Sequence, residues 1–207
     1  MSEPLTRLAH RLVRPALGAQ GRAVDATAGN GHDTAFLAER LGAAGTVLAI
    51  DVQQAALART RQRLREAGLE ARVALAQADH RQLGRLTTPA WRGSVDAVML
   101  NLGYLPGSDR SVTTTPEQTR AALDAAGELL RPGGVLSVLA YRGHTGGTEE
   151  ARAVAAWMAR TAQGGAEWRE RAAASERGPV LHVLRHPAGP RTAAATADRE
   201  EEVPWPS

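Results

Sequence analysis

Residues 25–31 read Asp25-Ala-Thr-Ala-Gly29-Asn30-Gly31, and Asp51 closes the next apolar run twenty residues past Gly31. Upstream, 23–27 has the short apolar pattern of a strand; downstream, 33–41 has helical periodicity, 46–51 is again strand-like and 54–67 helical. The alternation continues, with strands expected at 71–78 and 95–101 and only a short helical stretch between them. Pro116 stands where a helix can begin without its N–H, and that helix is expected to run to Leu130. Arg131-Pro-Gly-Gly is read as a turn into a strand at 135–141, followed by a helix at 148–162. Trp168 and 180–184 belong to two closing strands. Strands alternating with helices in this way predict an α/β domain with a parallel sheet covered on both faces. Ahead of it, Leu5, Leu8, Leu12 and Ala16 recur at helical spacing around Arg7, Arg11 and Arg14, and Pro15 should end that helix. Residues 1–186 are therefore expected to form one domain with 1–20 as a helical extension, and 187–207, rich in Pro, Ala and Thr and without periodicity, a disordered tail.

In an open α/β sheet ligands bind at the carboxyl ends of the strands, where glycines let backbone approach them. Gly29 and Gly31 stand at such an end, and Asp51 at the next can accept both hydroxyls of a ribose. The dinucleotide pattern Gly-x-Gly-x-x-Gly is not met, because Thr34 holds its third glycine position. The loop opens on Asp25, and an acid there suits a ligand with a positive amino group better than a pyrophosphate. S-adenosylmethionine, with an ammonium and a sulfonium, is such a ligand. On these residues the chain resembles class I S-adenosylmethionine-dependent methyltransferases.

Composition narrows the chemistry. The 207 residues contain no cysteine, which removes disulfides, thiolate metal sites and iron–sulfur clusters, and with them thiolate-assisted carbon-5 methylation and radical methylation. All 25 basic residues are Arg, giving a formal charge of +3 and a pI near 10.4, a weak signal for nucleic acid that base composition of the gene explains as well. Aromatic residues make up 3%, too few for a base-stacking platform, so phosphate contacts by Arg would have to carry RNA affinity. No run of 18 apolar residues exists, and 1–20 lacks an apolar signal core, so a cytoplasmic protein without membrane contact is expected. His182 and His186 are four apart on a strand, which argues against a metal pair. Arg59, Arg61, Arg63 and Arg65 read as a solvated helix surface.

The resemblance extends further. Asp25-Ala-Thr-Ala-Gly-Asn-Gly-His-Asp-Thr34, Asn101-Leu-Gly-Tyr-Leu-Pro-Gly107, Thr113-Thr-Thr-Pro116 and Tyr141-Arg-Gly-His144-Thr-Gly-Gly147 through Glu149-Glu150 occur in that order. Together they are similar to a bacterial family labelled rRNA methylase and associated with methylation of 5-aminomethyl-2-thiouridine at the tRNA wobble position. The resemblance implies a Rossmann-like seven-stranded, mostly parallel sheet, S-adenosyl-L-methionine as methyl donor with S-adenosyl-L-homocysteine as product, and no metal. It further implies a tRNA anticodon stem-loop as partner, with a homodimer left open. For cofactor binding it points to Asp25, Thr27, Gly29, Asn30, Gly31, Asp33, Asp51, Gln53, Asp79 and His80. Asn101, Tyr104, Tyr141 and His144 are the expected catalytic residues. In amine methyltransferases an Asn-Pro-Pro-Tyr loop lies at the end of the fourth strand; here Leu102-Gly103 replaces Pro-Pro.

Methyl transfer from a sulfonium is an in-line displacement, so the protein mainly aligns donor and acceptor. An Asn side-chain oxygen can bind an amine hydrogen and direct the lone pair at the methyl carbon. An alkyl amine is mostly protonated near neutrality, by analogy with Lys at about 10.4, and must lose a proton before it attacks. Tyr104, Tyr141 and His144 are candidates to take it. Two other readings stay open: a methyltransferase of the same fold acting on rRNA, a small molecule or a protein amine, and a non-catalytic S-adenosylmethionine-binding protein.

Overall fold

Of the eight residues Val95–Leu102 (β4), only Asn101 is not fully buried, a pattern that a strand shows when it runs through the middle of a covered sheet. In the computed structural model, which describes residues 3–103 and 114–188, β4 pairs in parallel with β1 (Arg22–Asp25) on one side and β5 (Leu130–Ala140) on the other. Beyond β1 lie β2 (Thr46–Asp51) and β3 (Val73–Gln77), again parallel. Beyond β5 lie β7 (Val180–Arg185), antiparallel to it, and the edge strand β6 (Glu167–Ala172). The order β3-β2-β1-β4-β5-β7-β6 is the seven-stranded, mostly parallel sheet implied by the resemblance. The chain runs outward from β1 and returns to β4, so the order reverses between those two strands and opens a crevice at their carboxyl ends.

Alternation along the strands divides the core. Val98, Leu100 and Leu102 join Val24, Leu48 and Ile50 on one face, packed against α4 (Leu83–Leu86), α5 (Pro116–Leu129) and α6 (Gly147–Gln163) through Leu83, Leu123 and Met158. Ala97 and Met99 join Ala23 and Val47 on the other, packed against α1 (Leu5–Val13), α2 (His32–Arg40) and α3 (Gln54–Glu66) through Leu8, Leu12, Leu37 and Leu64. Each Leu fully buried in this way contributes roughly 1.5–3 kcal/mol of transfer free energy. The extension α1 is thus part of the domain's packing, with Leu8, Ala9, Leu12 and Val13 inward and Arg7 and Arg14 exposed.

Most expected boundaries move by one to three residues, and one reading needs correction. Arg131-Pro-Gly-Gly is not a turn ahead of β5 but an irregularity within it: Leu130 already pairs with Val95, and pairing resumes at Ala97 with Val135. The looped-out backbone is held by the N–H of Gly133, which donates to the carbonyls of His186 and Pro187, and by the guanidinium of Arg131, which reaches the buried Asp96 and the carbonyl of Ala16. Pro116 opens α5 as expected, and Thr115 caps it reciprocally with Gln118. His182 is buried on β7 against Trp168, ring centres 6.1 Å apart, and burial pushes its pKa down to about 4, the behaviour of a core histidine. The expectation for the tail falls, apart from 187 and 188, outside the described residues.

Candidate active site

The glycine loop is shaped by what approaches it. Gly29 and Gly31 have φ of 53° and 78°, a region that favours residues without a Cβ. A Cβ on Gly31 would lie 2.9 Å from the Cα of Thr60 on α3, so the loop and that helix can meet only across a glycine. Thr60 Oγ1 donates to the Gly29 carbonyl at 3.2 Å and Arg63 Nε to the Asn30 carbonyl at 2.8 Å. Arg63 therefore clamps the loop, which corrects its reading as plain solvated surface. From below, the N–H of Ala26 donates to Met99 and that of Ala28 to Ile50, which sets the loop between β4 and β2.

A cavity of about 930 Å³ opens above this crevice. Thr27, Gly29, Asn30, Asp33, Asp51, Gln53, Asp79, His80, Asn101, Tyr141 and His144 all line it, eleven of the fourteen residues singled out from the sequence. Asp25 and Gly31 do not, and Tyr104 lies outside the described residues.

Asp51 accepts from the N–H of Gly29 at 2.8 Å and from that of Gln53 at 2.9 Å, which leaves further lone pairs on its carboxylate. Asp79 caps the 3₁₀ turn His80–Gln82 by accepting from the N–H of Arg81, and its other oxygen accepts from Gln118 Nε2 at 2.9 Å. Its ordinary capping role and its place on the cavity wall are thus both real. His80 is buried, its pKa lowered by that burial, and its Nε2 finds no partner among the described residues.

Asn101 is fixed at both ends. Its N–H donates to Thr27 Oγ1 at 2.7 Å and its side-chain Nδ2 to Asp33 Oδ2 at 2.6 Å. After it, Gly103 has φ of 141°, and a Cβ there would press on Tyr141 and on the ring of His144. Burial raises the pKa of Tyr141, with the charge of Asp33 adding to it, so the phenol stays protonated near neutrality and is better suited to donate than to act as a base.

Asp25 sits entirely buried beneath the loop, where it accepts from Thr34 Oγ1 at 2.5 Å and from the N–H of Thr27 at 3.2 Å. Burial first, and repulsion from Asp33 second, push its pKa up to about 7 from 3.8. The unfolded chain therefore loses this proton before the folded one. Stability linked to Asp25 is complete below about pH 4 and is lost as the pH rises through about 7. Asp25→Asn keeps the shape and removes the titration. Its melting temperature relative to the parent should climb between pH 4 and pH 7.5, and a difference that stays flat would show that Asp25 is ionised in the fold without cost.

Several lining residues were not among the expected site residues. Thr6, Arg7 and His10 come from α1, Arg177 from the connection between β6 and β7, and Thr114 and Gln118 from just before and just inside α5. The sequence marks Arg7 only as part of the basic face of the first helix and Thr114 only as part of Thr113-Thr-Thr-Pro116; Gln118 could have been found, three residues after Thr115 in a capping pattern.

A family model described as "Putative rRNA methylase" matches residues 47–177. A chloroplastic tRNA (mnm5s2U34)-methyltransferase of Arabidopsis thaliana is 36% identical over 160 residues, covering 73% of this chain. The chain spans 58% of that relative's length. Among solved structures, an rRNA methylase so described from Clostridium thermocellum superposes with a TM-score of 0.83 at 33% identity, covering 89% of this chain and 98% of the other. A methyltransferase so described from Streptococcus mutans, solved in complex with SAH, does so with a TM-score of 0.77 at 30% identity, covering 89% and 99%.

Proposed function

The chain belongs to the "Putative rRNA methylase" family, and from that premise we propose that it is an S-adenosylmethionine-dependent N-methyltransferase acting on RNA. Its acceptor is the aminomethyl group of the modified wobble uridine of tRNA, and its product nucleoside is 5-methylaminomethyl-2-thiouridine. The observation that carries this reading is Asn101, an amide held at the end of β4 inside the same cavity as Asp51 and the glycine loop. The name of the Arabidopsis relative supports the choice of acceptor.

The residues present fit an adenosine-bearing donor. A left-handed glycine loop lets backbone approach it, the Asp51 carboxylate keeps acceptor capacity for ribose hydroxyls, and His80 Nε2 is a buried polar atom that lacks a protein partner among the described residues. Bound there, S-adenosylmethionine supplies a methyl carbon activated by a sulfonium.

The rest is the work of this chain's side chains. Asp51 and Gln53 hold the ribose end, Asp79 and His80 the adenine, and Asn101 aligns the acceptor amine. Tyr141 and His144 border the acceptor side, and Tyr104, outside the described residues, is proposed to act with them. No covalent enzyme intermediate is required. A single domain, 1–186, contains all of these groups, in a cytoplasmic protein that meets no membrane; no helix among the described residues is long and apolar enough to cross one.

RNA affinity should come from phosphates. Arg7 lines the cavity and is exposed with Arg14, while Arg11 pairs with Glu3 at 2.8 Å. A few such contacts predict that log affinity for an anticodon stem-loop falls with log salt at a slope of roughly −2 to −4. Replacing Arg7, Arg11 and Arg14 together should flatten the slope. Salt-independent binding, or equal turnover on tRNA and on free alkyl amines, would instead favour a small-molecule acceptor.

A further inference from the structure

His10 and Asn101 stand far apart in the chain, and one carboxylate joins them. Asp33 Oδ1 lies 2.5 Å from His10 Nε2, and Asp33 Oδ2 accepts from Asn101 Nδ2 at 2.6 Å. The His10 ring lies flat on Phe36, one turn beyond Asp33, with centroids 4.0 Å apart and planes 2° from parallel. Its helix is anchored by Leu8, Ala9, Leu12 and Val13, all buried. Asp33 itself is 8% exposed.

The chemistry of this chain of contacts is directional. A carboxylate accepts and does not donate, so Asn101 must turn its amide nitrogen toward Asp33. The Asn101 carbonyl oxygen is then the end left for an amine hydrogen. A carboxylate held at one oxygen only can turn about its Cβ–Cγ bond, because that torsion is broad. Held at both oxygens, by His10 on one side and Asn101 on the other, it is fixed.

We propose that His10 is a positioning residue of the methyl transfer: through Asp33 it locks the Asn101 side chain with its carbonyl oxygen presented to the acceptor amine. The inference deepens the proposed function and rests on it. It also gives α1 a role in the site beyond covering the sheet.

The test uses the full chain and its His10→Leu, His10→Gln and Asp33→Asn variants. Two readouts run side by side: single-turnover methylation of an undermodified tRNA at saturating donor, and side-chain amide signals of the two asparagines, Asn30 and Asn101, after selective labelling. His10→Leu should slow methylation about tenfold, with S-adenosylhomocysteine affinity within about twofold of the parent. His10→Gln, whose amide nitrogen reaches the place of the imidazole Nε2, should recover most of the loss. The Asn101 amide signals should shift in His10→Leu and in Asp33→Asn, which adds a third amide of its own, and return in His10→Gln, while Asn30 stays unmoved in the His10 variants. Parental rates with unmoved Asn101 signals in His10→Leu would overturn the proposal, as would a His10→Gln variant as slow as His10→Leu. Absence of turnover in the parent would instead refute the tRNA acceptor, and the Asn101 signals would still decide whether His10 orients that side chain.

Discussion

Asn101→Ala should lower the turnover number on undermodified tRNA by about a hundredfold or more while S-adenosylhomocysteine binds within about twofold of the parent affinity. Asn101 is the one residue of β4 that is not fully buried, and it lines the cavity with its backbone braced by Thr27 and its amide by Asp33. An interaction formed mainly as the amine attacks affects the chemical step and not capture of the donor. The alanine variant keeps the backbone bond to Thr27, so the loop has no reason to move. If it instead methylated at the parental rate and bound S-adenosylhomocysteine poorly, Asn101 would belong to the adenosine pocket.

The second large effect concerns Asp51. Hydrogen bonds to a charged group are worth roughly 1.5–3 kcal/mol, so Asp51→Ala should weaken S-adenosylhomocysteine by about tenfold to a hundredfold in calorimetry. The same substitution removes the acceptor of the Gly29 and Gln53 N–H groups, which lets the glycine loop relax and adds to the loss. Both contributions act on the donor, so the affinity of the free protein for an anticodon stem-loop should stay near the parental value. Unchanged affinity for S-adenosylhomocysteine would remove the ribose from Asp51.

How much of this could be read beforehand depended on whether a feature is local. Strand β2 was legible to the residue, 46–51, because an apolar run between Gly45 and the Asp51 end is bounded by local chemistry. The glycine loop was legible for the same reason. Strand β6 left only Trp168 as a trace, since as an edge strand with polar, largely exposed residues it has no apolar alternation to read. Arg131-Pro-Gly-Gly has the composition of a turn, and only the pairing of Leu130 with Val95 across the sheet shows that the strand has already begun.

The site followed the same division. Residues at strand ends were found because topology brings strand ends together. His10, Arg177 and Thr114 were not, because neither the periodicity of the first helix nor the Thr113-Thr-Thr-Pro116 motif shows which side chain reaches the cavity, and they arrive there through tertiary packing. Asp33 was expected among the cofactor-binding groups and lines the cavity; its hydrogen bonds to His10 and Asn101, contacts spanning 23 and 68 residues, left no trace in the sequence.

The acceptor proposed for this chain is the amine of the modified wobble uridine. Nucleoside mass spectrometry of tRNA from cells lacking this gene tests it most directly, before and after incubation with the purified protein and S-adenosylmethionine. The deletion should accumulate 5-aminomethyl-2-thiouridine, and incubation should convert it to 5-methylaminomethyl-2-thiouridine. Undisturbed 5-methylaminomethyl-2-thiouridine in the deletion, with no conversion of the aminomethyl nucleoside in vitro, would contradict it.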